Sequence, residues 1–427
     1  MPDLRSRLGA LTEPNFRRLW VGQTVSAMGD GLTGVALTFA VLAISGSATD
    51  LGLVFAAFLI PRVAFLLVGG VWADRLPRRY VMIGSDLVRA LAQLLVAGAI
   101  FSGTHEIWPF VLAAAVSGAA SAFFTPAMVG LIPQTISPDR LQDANSLLGM
   151  SQWAARLGGP VIAGLAVAVG VIGPLFVLDA LSFVFGAFML NRLTVGSVAV
   201  ASHQSFAVDF KDGWSQVVRR RWLVISLGAF ALANLGFSGL FILGPLMVGA
   251  TPSGAEDWGI TISLFALGGL VGAAAAMRVR PSRPLSAAFL IWLGMPAMLV
   301  ILSTTPPLAI LAAGAFMASA CTTLTDTIWH TTLQQQIPSQ HLSRVSSVDW
   351  TISMVISPVG NIAVGPLAAV VGTQASLLVL AAVAGIPLAI VAFVPSVRAI
   401  RAPKPTDSPE HAAESSDQSL TAQGVSL

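Results

Sequence analysis

Asp30, Arg62 and Arg156 are charged residues set near the middle of long apolar runs, in a chain poor in charge. Counting about 1.5 Å per helical residue, all three fall near the middle of their runs. An ionisable side chain at such a depth is costly in lipid and faces a cavity or a partner. Whether a buried carboxyl carries a proton depends on how close a cation stands. One acid and two cations at one depth therefore make a set that can take up and release a proton. The competing reading is a permanently ionised pair that only locks helices together.

The elements that must position these residues follow from composition. Of 427 residues, 55% are hydrophobic and 10% charged, with a mean hydropathy of +0.80. A soluble domain is usually about 25% charged. The chain is therefore read as an all-α integral membrane protein. Apolar runs at 19–45, 51–72, 81–101, 108–132, 142–169, 172–194, 221–249, 257–277, 285–303, 308–333, 343–370 and 373–395 each approach the roughly 20 residues that cross a bilayer as a helix. Twelve spans are expected. One cysteine, Cys321, and scattered histidines offer no disulfide and no metal cluster, so no cofactor and no metal are expected. No Ser/His or metal constellation lies at one depth, which speaks against an intramembrane hydrolase.

Arg62, Arg89 and Arg156 lie inside the runs, and every other Lys and Arg falls on one side if the helices alternate. The opposite loops carry Asp50, Glu106, Glu256 and Asp257. By the bias of cations toward the cytoplasm, both termini are cytoplasmic. The expected organisation is an N-terminus (1–18), a first six-helix bundle (19–194), a cytoplasmic linker (195–220), a second bundle (221–397) and a polar, disordered tail (398–427). The halves repeat in parallel. A shift of 201 residues places Gln335 on Gln134, Ser347 on Ser146, Gly360 on Gly159 and Gly365 on Gly164.

Residues 69–79, "GGVWADRLPRR", fall between the second and third runs. Gly70, Asp74, Arg75, Arg78 and Arg79 resemble the signature of the major facilitator superfamily, and Pro77 stands where that signature has a glycine. The resemblance extends over roughly 15–397 and implies twelve helices in two pseudo-symmetric halves. It also implies a cytoplasmic latch, in which the acid faces the positive end of helix eleven. In the second half Ala273 stands where Asp74 would lie, so the motif is one-sided.

Helix five, "GMSQWAARLGGPVIAG", resembles the antiporter motif of exporters in that superfamily through Ala155, Gly159, Pro160, Ala163 and Gly164. Proline kinks a helix and small residues admit a close neighbour, although small-x-x-x-small packing is general in membranes. Residues 14–37 resemble helix one of the macrolide and siderophore exporters. Helix four, however, has no basic residue where the best-known drug–proton antiporters carry an arginine. Fold analogy puts helices one, four, seven and ten around the cavity. Candidate lining residues are Phe123, Phe124, Met128, Phe230, Asn234, Phe237, Phe241, Asp326 and His330. Aromatic and methionine side chains suit a bulky, mostly apolar ligand. Asp349 is assigned with Asp326 and His330 to a solvated vestibule, Asp179 to the outer part of helix six, and Asp86 and Arg89 to bracing the latch.

These features predict a proton-coupled exporter of an amphipathic small molecule, acting as a monomer in a bacterial cell membrane without nucleic-acid partners. An importer of a small nutrient and a non-transporting scaffold are the alternatives.

Overall fold

The computed structural model describes residues 8–75, 77–137, 140–194, 214–249, 253–276, 278–337 and 339–401. Among them run α1 (Pro14–Ser45), α2 (Ala48–Arg75), α3 (Arg78–Phe101), α4 (Trp108–Thr135), α5 (Leu141–Ala168) and α6 (Gly173–Asn191). There follow α7 (Arg221–Val248), α8 (Gly254–Ala276), α9 (Pro284–Ser303), α10 (Leu308–Gln336), α11 (Ser339–Val371) and α12 (Thr373–Val391). No strand occurs among the described residues. Ten of these helices are long and apolar enough to cross a membrane, and α11 adds a shorter apolar stretch, Ile356–Val371. The remaining helix, α5, is the one that carries Gln152 and Arg156. Most of the linker expected at 195–220 (195–213) and of the tail (402–427) lies outside the described residues.

The first and last spans differ from expectation at their outer ends. The first helix begins at Pro14 rather than at residue 19, with proline in the first turn, where its missing N–H leaves no bond unmade. At the other end of that helix Gly46 adopts φ 61° and donates its N–H to Leu42, a left-handed cap that glycine adopts without strain. The chain beyond the last span continues in order to a helical turn at Pro395–Arg398, whose Val397 is fully buried.

Helix α7 is not regular. A π-helical turn at Gly239–Leu243 is followed at once by Gly244 and Pro245. Such turns are rare inside helices and concentrate at functional places. A second break falls at Leu293 in α9.

Packing follows the sequence repeat. Within the first six helices α1 packs on α5 and α6, α2 on α4, and α3 on α4 and α6. Within the last six α7 packs on α11 and α12, α8 on α10, and α9 on α10 and α12. The two sets meet along α5 with α8 and along α2 with α11, a pair of seams that the same repeat relates.

Lipid tails are as apolar as the helices, so association relies on close packing at small residues. A Cβ on Gly118 of α4 would strike the Phe58 carbonyl of α2, and one on Gly268 of α8 would strike the Phe316 carbonyl of α10. Both seams between the sets use the same device. A Cβ on Gly259 would collide with the Pro160 carbonyl and one on Gly164 would reach that of Ala255, while Gly52 and Gly365 stand equally close to Asn361 and Thr49.

Arg17, Arg18, Arg78, Arg79, Arg140, Arg192, Arg219–Arg221, Arg278, Arg280, Arg283, Arg398 and Arg401 share one end of the bundle. Asp50, Glu106, Glu256 and Asp257 occupy the other. The seam glycines Gly52, Gly164, Gly259 and Gly365 lie toward this acidic end.

Candidate functional site

A cavity of about 820 Å³ opens between the two sets. Among the described residues it is lined from α1 to α6 together with α7 and α11, and not from α10. Its ionisable lining residues are Asp30, Arg62, Arg89 and Arg156. Asp30 lies 15 residues before the end of α1 at Ser45, and Arg62 lies 14 after the start of α2 at Ala48. Arg89 and Arg156 each lie 12 residues before the ends of α3 and α5. At about 1.5 Å per residue, all four fall roughly 18–23 Å below the acidic end.

The three residues picked out by type and depth therefore share one cavity, but Asp30 finds its ion partner elsewhere. Arg89 Nη1 stands 4.0 Å from Asp30 Oδ2. The same guanidinium makes a short, buried hydrogen bond through Nη2 to Asp86 Oδ1. It is also held between the rings of Phe124 and Phe183, at 4.4 and 4.2 Å from their centroids. Arg89, expected to brace the latch, is thus a residue of the cavity wall. Arg62 instead stands 5.7 Å from the Phe58 ring, and Arg156 stands 5.6 Å from that of Trp153.

Although Asp30 sits deep within the molecule, its side chain is 54% exposed, because what it faces is the cavity. Asp86 is fully buried behind the wall, and its Oδ2 has no hydrogen-bond partner. Beside it Asp179, also fully buried, accepts from Gln93 Nε2 at 2.6 Å and from the Ser182 hydroxyl at 3.2 Å. A Cβ on Gly29 would collide with the Asp179 carboxyl and the Ser182 hydroxyl, so α1 passes flush against α6 there.

The antiporter-like motif lies next to this set. A Cβ on Gly159 of α5 would meet the backbone of Gly31, the residue after Asp30, and one on Gly31 would meet the Ala155 carbonyl at 2.6 Å. On its other side the motif offers Pro160 and Gly164 to α8. Two faces of the one motif thus seat α1 against α5 and close the seam to α8.

Of the expected lining residues, Phe124, Phe237 and Phe241 line the cavity, and Phe123, Met128, Phe230, Asn234, Asp326 and His330 do not. Phe123 lies 6.1 Å from the Phe65 ring. Met128 packs against the apolar cluster of Phe16, Leu19, Met82 and Leu131. Phe230 belongs to an aromatic core, edge-on to Trp329 at 4.6 Å and to Trp292 at 4.9 Å. Asp326 and His330 are exposed on one polar face of α10 with Thr327, Thr331 and Gln334. Asp349 is buried and accepts from Trp329 Nε1 at 2.9 Å. Gln93, Gln152 and Asn361 also line the cavity, and sequence reasoning passed over them because a lone amide in a helix has no distinguishing spacing.

At the arginine-rich end Arg78 donates to the Gly130 carbonyl of α4 at 2.7 Å. Arg79 donates to the Asn191 and Leu193 carbonyls at 2.6 and 2.7 Å. These carbonyls stand at the end of α6, where a cation meets the negative end of the helix dipole. Gly70, Asp74 and Arg75 are helical in backbone, but their side chains lie outside what the structure describes.

Comparison with known proteins comes to the same architecture. The chain is 26% identical to the multidrug efflux pump Tap of Mycolicibacterium fortuitum over 388 residues, covering 87% of this chain and 93% of Tap. It is 23% identical to macrolide efflux protein A of Streptococcus pyogenes over 234 residues, 54% of this chain and 56% of that one. It is 28% identical to the MFS-type transporter YfiS of Bacillus subtilis over 190 residues, 44% and 43% of the two chains. The chain thus spans about half the length of the Streptococcus and Bacillus relatives in these matches.

Among solved structures, the nucleoside transporter NupG superposes with a TM-score of 0.70 at 11% identity, covering 88% of this chain and 98% of that one. A bacterial homologue of the iron transporter ferroportin superposes at 0.70 in its inward-facing state, with 16% identity and coverage of 90% and 98%. In its outward-facing state the score is 0.55, with 17% identity and coverage of 88% and 97%. The Major Facilitator Superfamily profile matches residues 19–361, four-fifths of the chain. With ten apolar helices of spanning length, this chain is a multi-pass membrane protein and belongs to the major facilitator superfamily of transporters.

Proposed function

We propose that this protein exports an amphipathic small molecule across the cell membrane in exchange for protons. Its two bundles, 19–194 and 221–397, rock about the central cavity, with both termini in the cytoplasm. The observation that carries the reading is the cavity itself. It places an acid with three arginines among phenylalanines at one depth, and among the described residues the glycines at which the backbones of the two sets meet lie on its acidic side. With the arginine-rich end cytoplasmic, that arrangement corresponds to a transporter closed to the outside. The higher TM-score against the inward-facing ferroportin homologue than against its outward-facing state agrees. The kinship with Tap and macrolide efflux protein A supports export rather than import.

Asp30 is the proposed coupling residue, since it alone among the cavity's ionisable residues can change charge while arginine stays protonated. Approach or withdrawal of Arg89, Arg62 or Arg156 as the halves rock would decide whether Asp30 holds a proton. The test is transport in proteoliposomes with and without an imposed pH gradient. Asp30→Asn is expected to abolish uphill export driven by the gradient while downhill exchange persists. An Asp30→Asn protein that still concentrates substrate would move the proton site to another acid.

A further inference from the structure

The cavity's permanent charge carries information about what it holds. Among the described residues three arginines line it against one carboxylate, that of Asp30, a formal lining charge of +2 with Asp30 ionised and +3 with it protonated. Asp86 and Asp179 stand behind the wall and do not line it. Arg89 is already engaged by Asp86 and Asp30. Arg62 and Arg156 make no ion pair within 4.0 Å among the described residues, and each rests beside an aromatic ring. Two guanidiniums without a carboxylate, fixed at one depth in a largely apolar chamber, are an incomplete arrangement. A guanidinium offers a planar fork of donors that suits a carboxylate, sulfonate or phosphate, and it cannot discard its charge.

We propose that the substrate is an amphipathic anion whose charged group lies between Arg62 and Arg156 and whose aromatic or apolar body packs on Phe55, Phe58, Phe237 and Phe241. The assignment rests on the export reading above and narrows its substrate class. A cationic amphiphile would share the one exposed carboxylate with Arg89 and leave Arg62 and Arg156 uncompensated. The chamber's volume, within the usual few hundred to 1,000 Å³ of small-molecule sites, fits a body of two to four fused rings.

Two probes of one shape and opposite charge test this on the purified full chain in detergent: 2-naphthalenesulfonate and 2-naphthyltrimethylammonium, with calorimetric titration. The sulfonate is expected to bind about tenfold tighter or more, roughly 1.4 kcal/mol. Arg62→Gln and Arg156→Gln are each expected to weaken sulfonate binding about tenfold, and Asp30→Asn to strengthen it. Should a glutamine variant fail to fold, Arg62→Lys and Arg156→Lys keep the charge but lose the fork, and a fall in sulfonate affinity is still expected. Equal binding of the probes, preference for the ammonium, no binding of either, or sulfonate binding indifferent to both arginines overturns the assignment. Export is read separately, as energy-dependent uptake of the two probes into inverted membrane vesicles carrying the protein. Sulfonate binding without energy-dependent uptake would overturn the exporter reading alone, and energy-dependent uptake with ammonium preference would overturn the anion assignment alone.

Discussion

Arg89 serves two carboxylates with one guanidinium, and its two neighbours differ in kind. Asp86 is sealed behind the wall, whereas Asp30 faces the cavity. Removing the arginine strands Asp86 in a dry place, and breaking a buried pair by deleting one partner costs about 3–5 kcal/mol. Arg89→Leu is therefore expected to lower the melting temperature in detergent markedly. Asp86→Leu/Arg89→Leu should recover a large part of that loss, since a buried pair replaced by apolar groups is often near neutral. A double variant no more stable than Arg89→Leu would mean that the arginine acts on stability through its contacts with Phe124 and Phe183. Transport should stay impaired in both, because neither restores a cation beside Asp30.

At the scale of elements, the 69–79 segment, where α2 ends and α3 begins, divides its labour. Arg78 and Arg79 spend their donors on α4 and on the end of α6, so they hold α3 within its own set of six helices. That leaves Asp74 as the group proposed to reach across to α11. Asp74→Asn is expected to weaken closure at the arginine-rich end. In a Cys321→Ser background, labelling of a cysteine placed in the cavity at Thr125 should rise from the cytoplasmic side. Unchanged labelling would remove the latch from the mechanism.

The same elements show what the sequence could and could not disclose. The α5 motif is legible because small residues at positions 155, 159 and 163 recur every four residues, close to the helical period, and close approach to a neighbour is their ordinary use. The cavity's lining was only partly legible. In a soluble helix a polar face marks which side is dry. In lipid the outer face is apolar too, so α4 and α7 give no signal of rotation, and Phe123 could not be told from Phe124 nor Phe230 from Phe237. Arg89 reads in the sequence as a brace of the latch because it and Asp86 follow that segment in the chain. Its second partner comes from α1, 59 positions earlier, and only the packing of α1 against α3 and α6 brings the two together.

The whole molecule has two seams related by its internal repeat, and closure at the acidic end depends on both. Gly164 meets Ala255 on the α5–α8 seam, and Gly365 meets Thr49 on the α11–α2 seam. Helix backbones in such contact are not deformable by an ångström without parting, so a side chain there acts as a wedge. Gly164→Val and Gly365→Val should each shift the population toward the state open at the acidic end, which the proposed orientation makes the outside. The two sites share no partner, so their effects on the conformational free energy should add. A paramagnetic label pair spanning Glu106 on the first set and Ser253 on the second, again without Cys321, reads this as growth of a longer distance. Each valine should enlarge that fraction and the pair should enlarge it further. Distances unaltered by either wedge would mean that these seams follow closure without determining it, and that the hinge lies elsewhere, with the π-turn of α7 as the next place to measure.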